Sequence, residues 1–314
     1  MKENWERVKV KPSIPVEEIT EKVREETGRE VLMIEELTGG LSHSNYKLQF
    51  HKSPPLVIRV TSNKDRLTME RQLHSLLRDV PEVPSFFTIF QIGENWAGLM
   101  EWKEGKQLKH LFYQGDNQSN ERLGYSAGEL LARFRNISFE NSGFFDAALK
   151  VEEPFHLEAE SYRQLLESFL QDKVKLWIGP ELQSRIISYA SRQVELLKLD
   201  DSGPALVHGD FNGLNLLGDT NSVTAVLDWE FAFSGSIYVD IGNFIRYENF
   251  PEYQACERGL ISGLRDSGIY LPEEWKEIAR LVDLLGLCSM LNLEHPAPNR
   301  FKDLNRLIEQ TIYA

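Results

Sequence analysis

Two patterns of hydrophobic and polar positions divide the chain near residue 100. In the first part, short apolar runs separated by Gly and Pro turns are typical of strands, at residues 31–37, 45–50, 56–61, 86–91 and 97–102. Helices are predicted over 16–27, between Pro15 and Gly28, and over 65–78. A sheet of consecutive strands with an inserted helix is an antiparallel α+β unit.

Helical periodicity dominates the second part of the chain. The predicted helical segments are 118–137, 156–175, 181–198, 252–267, 273–293 and 299–312. One β-rich interruption runs from Ala205 to Phe233. We therefore predict two lobes, an N-terminal lobe of residues 1–101 and a helical lobe of residues 102–314, with a ligand cleft between them.

Composition and charge exclude several classes of protein. The 314 residues carry 35 Lys and Arg against 48 Asp and Glu, a net charge of −13, which argues against a nucleic-acid partner. Small partners, cationic or neutral, remain compatible. The N-terminus shows no apolar signal region, and no run is long enough to cross a membrane. With two cysteines and scattered histidines, we expect a cytoplasmic protein without disulfides or a zinc site.

The segment that carries chemistry spans residues 205–235. An apolar strand leads into His208-Gly209-Asp210, Asn215 follows five residues later, and Asp228 ends the next apolar strand. Because turn residues separate these last two strands, we expect a hairpin that brings Asn215 and Asp228 together at its open end. The loop before the hairpin delivers Asp210 to the same place.

These three side chains suit phosphoryl transfer, which requires positioning and charge neutralisation. A carboxylate, Asp210, orients the attacking hydroxyl and accepts its proton as the catalytic base. An amide and a second carboxylate, Asn215 and Asp228, provide the oxygen ligands that Mg²⁺ prefers. The spacing HxDxxxxN, with an Asp after the next hairpin, matches the catalytic loop and metal-binding Asp of protein kinases.

The runs HGDFNGLNLL, VLDWEFAFSG and DIGNF resemble the aminoglycoside phosphotransferase and choline kinase superfamily. The resemblance covers roughly residues 30–250 in the family's order. It implies a protein-kinase-like α+β fold with an N-terminal antiparallel sheet lobe and a larger helical lobe. It also implies ATP and Mg²⁺ as cofactors, and a small molecule with a hydroxyl group as acceptor.

Upstream segments extend this resemblance and imply the nucleotide-binding residues. LTGGLSHSNYKL resembles the family's glycine-bearing nucleotide loop, and LVIRV resembles the strand that carries the phosphate-contacting cation. TMERQLHSLL resembles the helix that supplies the glutamate partner of that cation. GLMEWKEG resembles the connection that binds adenine through backbone groups. The resemblance thus implies nucleotide-site roles for Gly39, Gly40, Ser42, Arg59, Glu70, Met100, Glu101 and Trp102. Arginine at position 59 replaces the usual lysine of protein kinases, so the phosphate contact has a fork geometry.

Two further groups of residues complete the prediction. Asp240 and His208 are expected to support the catalytic loop, His208 as a packed and hydrogen-bonded residue. Glu230, Tyr247 and Glu248 are candidates for the acceptor site, since acidic and aromatic groups together suit an ammonium group. For these three, a surface or helix-end role is an equally good interpretation.

Three functions stay in play at this point. The first is an ATP- and Mg²⁺-dependent kinase that acts on an aminoglycoside-like compound, an amino alcohol or a sugar-like metabolite. The second is a nucleotide-binding regulatory module without turnover. The third, a protein kinase, is disfavoured because only about a dozen residues separate Asp228 from DIGNF, too few for an activation segment. Motifs of P-loop NTPases, Rossmann dehydrogenases and serine hydrolases are absent from the sequence.

Overall fold

The computed structural model describes residues 2, 5–6, 14–37, 43–247 and 251–313, with Asp172 and Glu252 described by their backbone alone. The first elements are α1 (Val16–Thr27), β1 (Val31–Leu37), β2 (Ser44–Phe50), β3 (Leu56–Thr61), α2 (Lys64–Leu76), β4 (Phe86–Ile92) and β5 (Asn95–Glu101). Their strands form one antiparallel sheet in the order β1-β2-β3-β5-β4. The predicted antiparallel sheet with an inserted helix is confirmed.

Local signals in the sequence determine where the first helices begin and end. Gly28 ends α1 in the left-handed region, with φ of 68°, and its amide donates to the carbonyl of Arg24. Asn63 precedes α2, and its side-chain oxygen accepts from the amide of Arg66 at 3.0 Å. Both helices therefore begin or end close to the predicted positions.

The rest of the chain is mainly helical. Its helices are α3 (Leu108–Gln114), α4 (Asn117–Arg135), α5 (Ala159–Phe169), α6 (Asp172–Gln193), α7 (Tyr238–Ile245), α8 (Pro251–Asp266), α9 (Trp275–Ser289) and α10 (Pro298–Tyr313). Its strands are β6 (Lys106–Gln107), β7 (Gly143–Phe144), β8 (Ala205–Val207), β9 (Leu216–Gly218), β10 (Val223–Val226) and β11 (Phe233–Gly235). They form two small three-stranded sheets in the orders β10-β9-β6 and β7-β11-β8. Short 3₁₀ helices cover Val194–Leu199 and Trp229–Phe231.

Several predicted boundaries were wrong. The segment 156–175 is not one helix, because α5 ends at Phe169 and α6 begins at Asp172. The break expected near residue 180 is real: Gly179 has φ of 76°, and Pro180, which lacks an amide hydrogen, follows it. Helices α3 and α7 were not predicted. The hairpin of β9 and β10 is confirmed, although its first strand begins at Leu216 instead of Asn215.

Two clusters of buried side chains lie on either side of a large cleft. The smaller cluster joins α1 to the five-stranded sheet, and the larger one joins the helices to one another and to α2. The cleft has a volume of about 1770 Å³ and is lined by residues from both parts of the chain. Among the described residues, no helix is both long enough and apolar enough to cross a membrane.

Candidate active site

The catalytic-loop segment His208-Gly209-Asp210 follows strand β8 and is fixed by Asp240 in the first turn of α7. The carboxylate of Asp240 accepts from the amides of His208 at 2.7 Å and Gly209 at 2.9 Å. Burial raises the pKa of Asp240 to about 7, although these two hydrogen bonds act in the opposite direction. Gly209 has φ of 80°, and a Cβ there would lie 2.3 Å from the carbonyl oxygen of Phe231. Only glycine fits this position without a shift of the backbone.

His208 connects this loop to Leu227, just after the end of β10. Its Nε2 donates to the carbonyl of Leu227 at 2.9 Å, and its Nδ1 accepts from the amide of Asp210 at 3.2 Å. The ring is fully buried and packs 4.6 Å from the ring of Trp229. Burial lowers the pKa of His208, which favours the neutral ring that these two contacts require. These are the contacts expected of a supporting residue.

Amide and ammonium groups surround the carboxylate of Asp210. Asn212 Nδ2 donates to Oδ1 at 2.7 Å, and Asn215 Nδ2 donates to Oδ2 at 2.8 Å. Lys2 Nζ lies 3.0 Å from both oxygens. The carboxylate is therefore held in one orientation in the cleft, with a cation of the N-terminal segment beside it.

Asp228 follows β10 after Leu227, the residue that is hydrogen-bonded to Asn215 across the hairpin. The amide of Leu227 donates to the carbonyl of Asn215 at 2.8 Å, which fixes the two strand ends together. Asp228 has φ of 69°, in the left-handed region that aspartate tolerates better than bulky residues. This backbone conformation places its carboxylate toward Arg59 of β3, with 2.9 Å between Oδ1 and Nη2.

Arg59 and Glu70 form the predicted ion pair, with 2.6 Å between Nη1 and Oε2. Both side chains are buried, and Arg59 Nε also donates to Asn45 Oδ1 at 3.3 Å. Burial raises the pKa of Glu70 to about 7, whereas the charge of Arg59 acts to lower it. Burial alone would lower the pKa of Arg59, but the charges of Glu70 and Asp228 raise it. Arg59 therefore stays cationic between two acidic groups.

The connection predicted to bind adenine follows the sheet directly. Met100 and Glu101 end β5, and Trp102 begins the segment that leads to β6. The carboxylate of Glu101 accepts from the amide of Ser85 at 3.0 Å and pairs with Lys103 at 2.8 Å, so it is already occupied. All three predicted residues line the cleft.

Of the three residues predicted for the acceptor site, the structure describes Glu230 and Tyr247, and these two contact different parts of the chain. Glu230 is buried and contacts His43, with 2.8 Å between Oε2 and Nε2, so it lies near the start of β2. Its backbone carbonyl accepts from Arg66 of α2. Tyr247 is buried and hydrogen-bonds through its hydroxyl to Asp303 at 3.3 Å. Glu248 and the loop residues Gly39, Gly40 and Ser42 lie outside the described residues.

The residues that would hold a divalent cation are chemically suited to magnesium. Asn215 uses its Nδ2 for Asp210, which leaves the amide oxygen available, and Asp228, two residues after β10, would add a carboxylate. An amide oxygen and a carboxylate are oxygen donors of the kind that magnesium prefers in phosphoryl-transfer proteins. Clusters of three or more His, Cys, Asp or Glu able to hold a metal do not occur in the part of the chain that the structure describes.

Sequence reasoning missed four contacts of this site, made by Lys2, His43, Asn45 and Asn212. Asn212 lies inside the HGDFNGLN run, but the HxDxxxxN spacing assigns no role to this position. His43 and Asn45 flank the start of β2, where proximity to Glu230 and Arg59 depends on sheet register. Lys2 carries no local signal, since 208 residues separate it from Asp210.

Comparisons with known proteins identify the family and the fold. The family model described as the phosphotransferase enzyme family matches residues 33–268. No curated protein sequence matches the chain.

Solved structures with the same fold are distant in sequence. A thermostable mutant of aminoglycoside phosphotransferase APH(4)-Ia, in ternary complex with ADP and hygromycin B, has a TM-score of 0.68 at 16% identity, with 94% of this chain and 98% of that chain covered. The GDP complex of aminoglycoside 2′-phosphotransferase-IIIa gives 0.73 at 16% identity, with coverage of 94% and 97%. The ADP-bound aminoglycoside phosphotransferase APH(2″)-Ib gives 0.63 at 15% identity, with coverage of 95% and 98%.

The predicted protein-kinase-like fold is thereby confirmed. The family match covers most of the sequence, including the catalytic loop, the hairpin with Asp228, and the Arg59–Glu70 pair. The chain therefore belongs to the phosphotransferase enzyme family.

Proposed function

We propose that this phosphotransferase moves the γ-phosphoryl group of ATP to a hydroxyl group of a small molecule, in a Mg²⁺-dependent reaction. The observation that carries this proposal is the convergence of three oxygen-bearing side chains in one cleft. Asp210 and Asn215 are in direct hydrogen bond at 2.8 Å, and Asp228 lines the same cleft just after the adjoining strand. Each has the chemistry that its proposed role requires.

Asp210 acts as the general base in this proposal. Its carboxylate orients the acceptor hydroxyl and takes its proton while the hydroxyl oxygen forms a bond to the γ-phosphorus. The bond from that phosphorus to the β,γ-bridging oxygen breaks, and ADP leaves with the bonding electrons. Asn212 and Asn215 hold the carboxylate in the orientation that this transfer needs.

The charge of the nucleotide is neutralised from two directions. Arg59 faces the cleft from the sheet and contacts phosphate oxygens, held in place by Glu70. Mg²⁺, when bound, neutralises charge on the β- and γ-phosphates, and Asn215 and Asp228 are the residues that would hold it. The backbone of residues 100–102 binds the adenine ring.

The acceptor belongs to one of three classes, an aminoglycoside-like compound, an amino alcohol or a sugar-like metabolite. The structural relatives are described in complexes with hygromycin B, ADP or GDP, which supports a nucleotide donor and a small acceptor. The candidates for acceptor contacts remain Glu230, Tyr247 and Glu248. Of these, Glu230 is supported by its position in the lining of the cleft.

The test measures ADP release from Mg·ATP with pooled acceptors of these three classes, for the wild type and for Asp210→Asn. We expect one pool to stimulate the wild type at least a hundredfold more than the variant, because the amide cannot accept the proton. Nucleotide affinity, measured separately by calorimetry, should be the same in both proteins. Equal rates in both would refute Asp210 as base, and nucleotide binding without turnover in any pool would favour the regulatory module.

A further inference from the structure

Three phenylalanine rings form an aromatic cluster on one wall of the cleft, made of Phe144, Phe155 and Phe233. The ring centroids are 5.6 Å apart for Phe144 and Phe155, 5.5 Å for Phe144 and Phe233, and 6.2 Å for Phe155 and Phe233. All three line the cleft, yet the cluster is not a closed core. Phe144 is 67% exposed, and the other two rings are half-buried. Water therefore contacts an apolar surface inside the site.

The backbone fixes this cluster beside the catalytic loop. Phe233 of β11 pairs with Phe144 of β7 on one side and with Val207 of β8 on the other, and β8 leads directly to Asp210. The amide of Phe155 donates to the carbonyl of Ser142 at 2.9 Å, which brings the third ring to the same place. The rings of Phe144 and Phe233 are thus presented by paired strands, next to the strand that leads to Asp210.

The position of Phe233 also depends on Gly235. A Cβ at Gly235 would lie 2.5 Å from an atom of the Phe233 ring, so a larger residue would push the ring away. Glycine at this position lets the ring lie back along its own strand. The sequence therefore places a half-buried aromatic ring on the cleft wall, beside the exposed ring of Phe144.

Charge on this side of the cleft is nearly balanced. We define the acceptor side as the cleft-lining residues from 142 to 210 and from 230 to 300, together with Lys2 and Trp5. Among the described residues, its charged side chains are six acids and five bases, namely Glu158, Glu160, Asp200, Asp210, Glu230 and Asp283 against Lys2, Arg163, Lys198, Arg246 and Arg300. The sixth acid, Glu230, contacts His43 at 2.8 Å. The net charge of −13 is therefore not concentrated here.

Three of the six acids are already paired with bases of the same surface. Asp283 contacts Arg246 at 2.6 Å, and Asp210 contacts Lys2 at 3.0 Å. Glu160 lies 3.7 Å from Arg163. A ligand with several ammonium groups needs several acidic groups in excess, and this surface does not offer them.

From these observations we infer that the acceptor presents an apolar ring face to the aromatic cluster and carries at most one positive charge. This inference rests on the proposed function and narrows its acceptor to an amphipathic hydroxyl compound, in contrast to a polycationic aminosugar. The ring stacks on Phe144 and Phe233, and its hydroxyl reaches Asp210 along the adjoining strand. A single ammonium group takes the position that Lys2 Nζ occupies beside Asp210.

The test compares the binding of three probes to the full chain with ADP present, by calorimetry and saturation-transfer NMR. The probes are 2-amino-1-phenylethanol, 1-amino-2-propanol, which differs in the ring, and the polycation hygromycin B. We expect the aryl compound to bind about threefold to tenfold tighter than the alkyl compound, the contribution of one aromatic contact. Hygromycin B should bind no tighter than the alkyl compound at physiological salt.

Variants assign the difference to the cluster. Phe144→Ala should remove the advantage of the aryl compound and leave the alkyl compound unchanged, and Phe144→Tyr should restore it. Gly235→Ala should act in the same direction through Phe233. The matched control is Tyr270→Ala, which removes an aromatic ring that is 77% exposed and does not line the cleft. Thermal unfolding of each variant checks that it is folded.

Opposite results overturn the inference. It fails if hygromycin B binds tightest, if the aryl compound does not bind, or if Phe144→Ala weakens both amines equally. Failure of the proposed function is seen separately, as binding of the aryl compound without ADP release from Mg·ATP in any acceptor pool. Turnover with polycations alone would keep the kinase and remove only the amphipathic acceptor.

Discussion

The carboxylate of Asp210 meets a cation in the structure even without substrate. Lys2 Nζ lies 3.0 Å from both of its oxygens, and the Lys2 and Asp210 side chains are each 16% exposed. Asn212 and Asn215 donate to the same two oxygens, so every position where an acceptor hydroxyl could approach has a competitor. In the proposed mechanism, the acceptor displaces Lys2 before Asp210 takes its proton.

Replacement of Lys2 by methionine should therefore help turnover. The variant keeps the apolar stem and loses the charge, so the acceptor no longer competes with an ion pair of about 1 kcal/mol, and kcat/KM for the acceptor should rise roughly fivefold. Initial rates of ADP release over a range of acceptor concentrations measure this. Lys2→Arg is the control, since it keeps the charge. A lower kcat/KM in Lys2→Met would mean that Lys2 assists the reaction.

Asp240 makes the stability of the fold depend on pH. Its pKa rises from 3.8 to about 7 on folding because the carboxyl group is buried, so the folded state holds a proton that the unfolded state releases. The resulting stability is fully present below pH 3.8, decreases as pH rises from there, and is lost once pH has passed about 7. Between these two pKa values the free energy of unfolding falls by up to about 1.4 kcal/mol per pH unit, the effect of one proton.

Urea unfolding of the wild type and Asp240→Asn from pH 4 to 8 tests this. The difference in unfolding free energy between the two proteins should decrease as pH rises to about 7 and then remain constant. Taking the difference removes the other titrating groups. A constant difference over the whole range, or one that grows with pH, would show that Asp240 is already ionised in the folded protein at low pH.

The sequence allowed most of this site to be predicted because its residues lie close together in the chain. Asp210, Asn215 and Asp228 span 19 positions, and one hairpin brings them together. The Arg59–Glu70 pair follows from a strand and the next helix. Lys2 and His43 could not be predicted in the same way, since their partners are more than 180 positions away and the contact depends on tertiary packing.

Helices α4 and α8 cross at a distance that only glycine permits. A Cβ at Gly124 would lie 2.0 Å from the carbonyl oxygen of Cys256, and one at Gly259 would lie 2.0 Å from that of Glu121. Gly128 and Gly263, one turn further along, meet opposite backbone atoms at 2.3 and 2.2 Å. The two pairs with spacing GxxxG thus bring the backbones into direct contact.

Gly259→Ala should therefore separate the helices. The methyl group would meet backbone atoms, which cannot rotate away, so we expect a loss of at least about 2 kcal/mol in unfolding free energy. Gly286→Ala in α9 is the matched control, because a Cβ there meets nothing within 4 Å. Since alanine favours helix, the control should be stabilised by about 0.5–1 kcal/mol. Equal effects of the two substitutions in urea unfolding would contradict the close approach.

Elements with strong local signals were predicted better than those fixed by their neighbours. Helix α1 has Pro before it and Gly after it, and its predicted bounds are confirmed. Strands β7 and β11 are two and three residues long and exist because they pair with each other and with β8. Helix α3, from Leu108 to Gln114, is too short for a periodic pattern to be distinguished from a loop.

At the scale of the whole molecule, α2 connects the two hydrophobic clusters. Its buried residues Met69 and Leu73, with Leu77 after its end, belong to the cluster of the helical part. Its Glu70 pairs with Arg59 of the sheet instead. The division at residues 101 and 102 that we predicted from sequence remains a prediction about lobes, and the packing of α2 crosses it.

Because α2 is packed against one part and ion-paired to the other, we expect the chain to unfold in a single transition. Leu73→Ala removes a side chain with 0% exposure at this junction, and should lower the unfolding free energy by about 2–5 kcal/mol. Far-UV circular dichroism and tryptophan fluorescence should shift to the same lower urea midpoint. Leu76→Ala on the same helix is the control, since Leu76 is 44% exposed and should change stability by less than about 0.5 kcal/mol. Midpoints that separate in the wild type would show that the sheet and the helices unfold independently, and that α2 does not couple them.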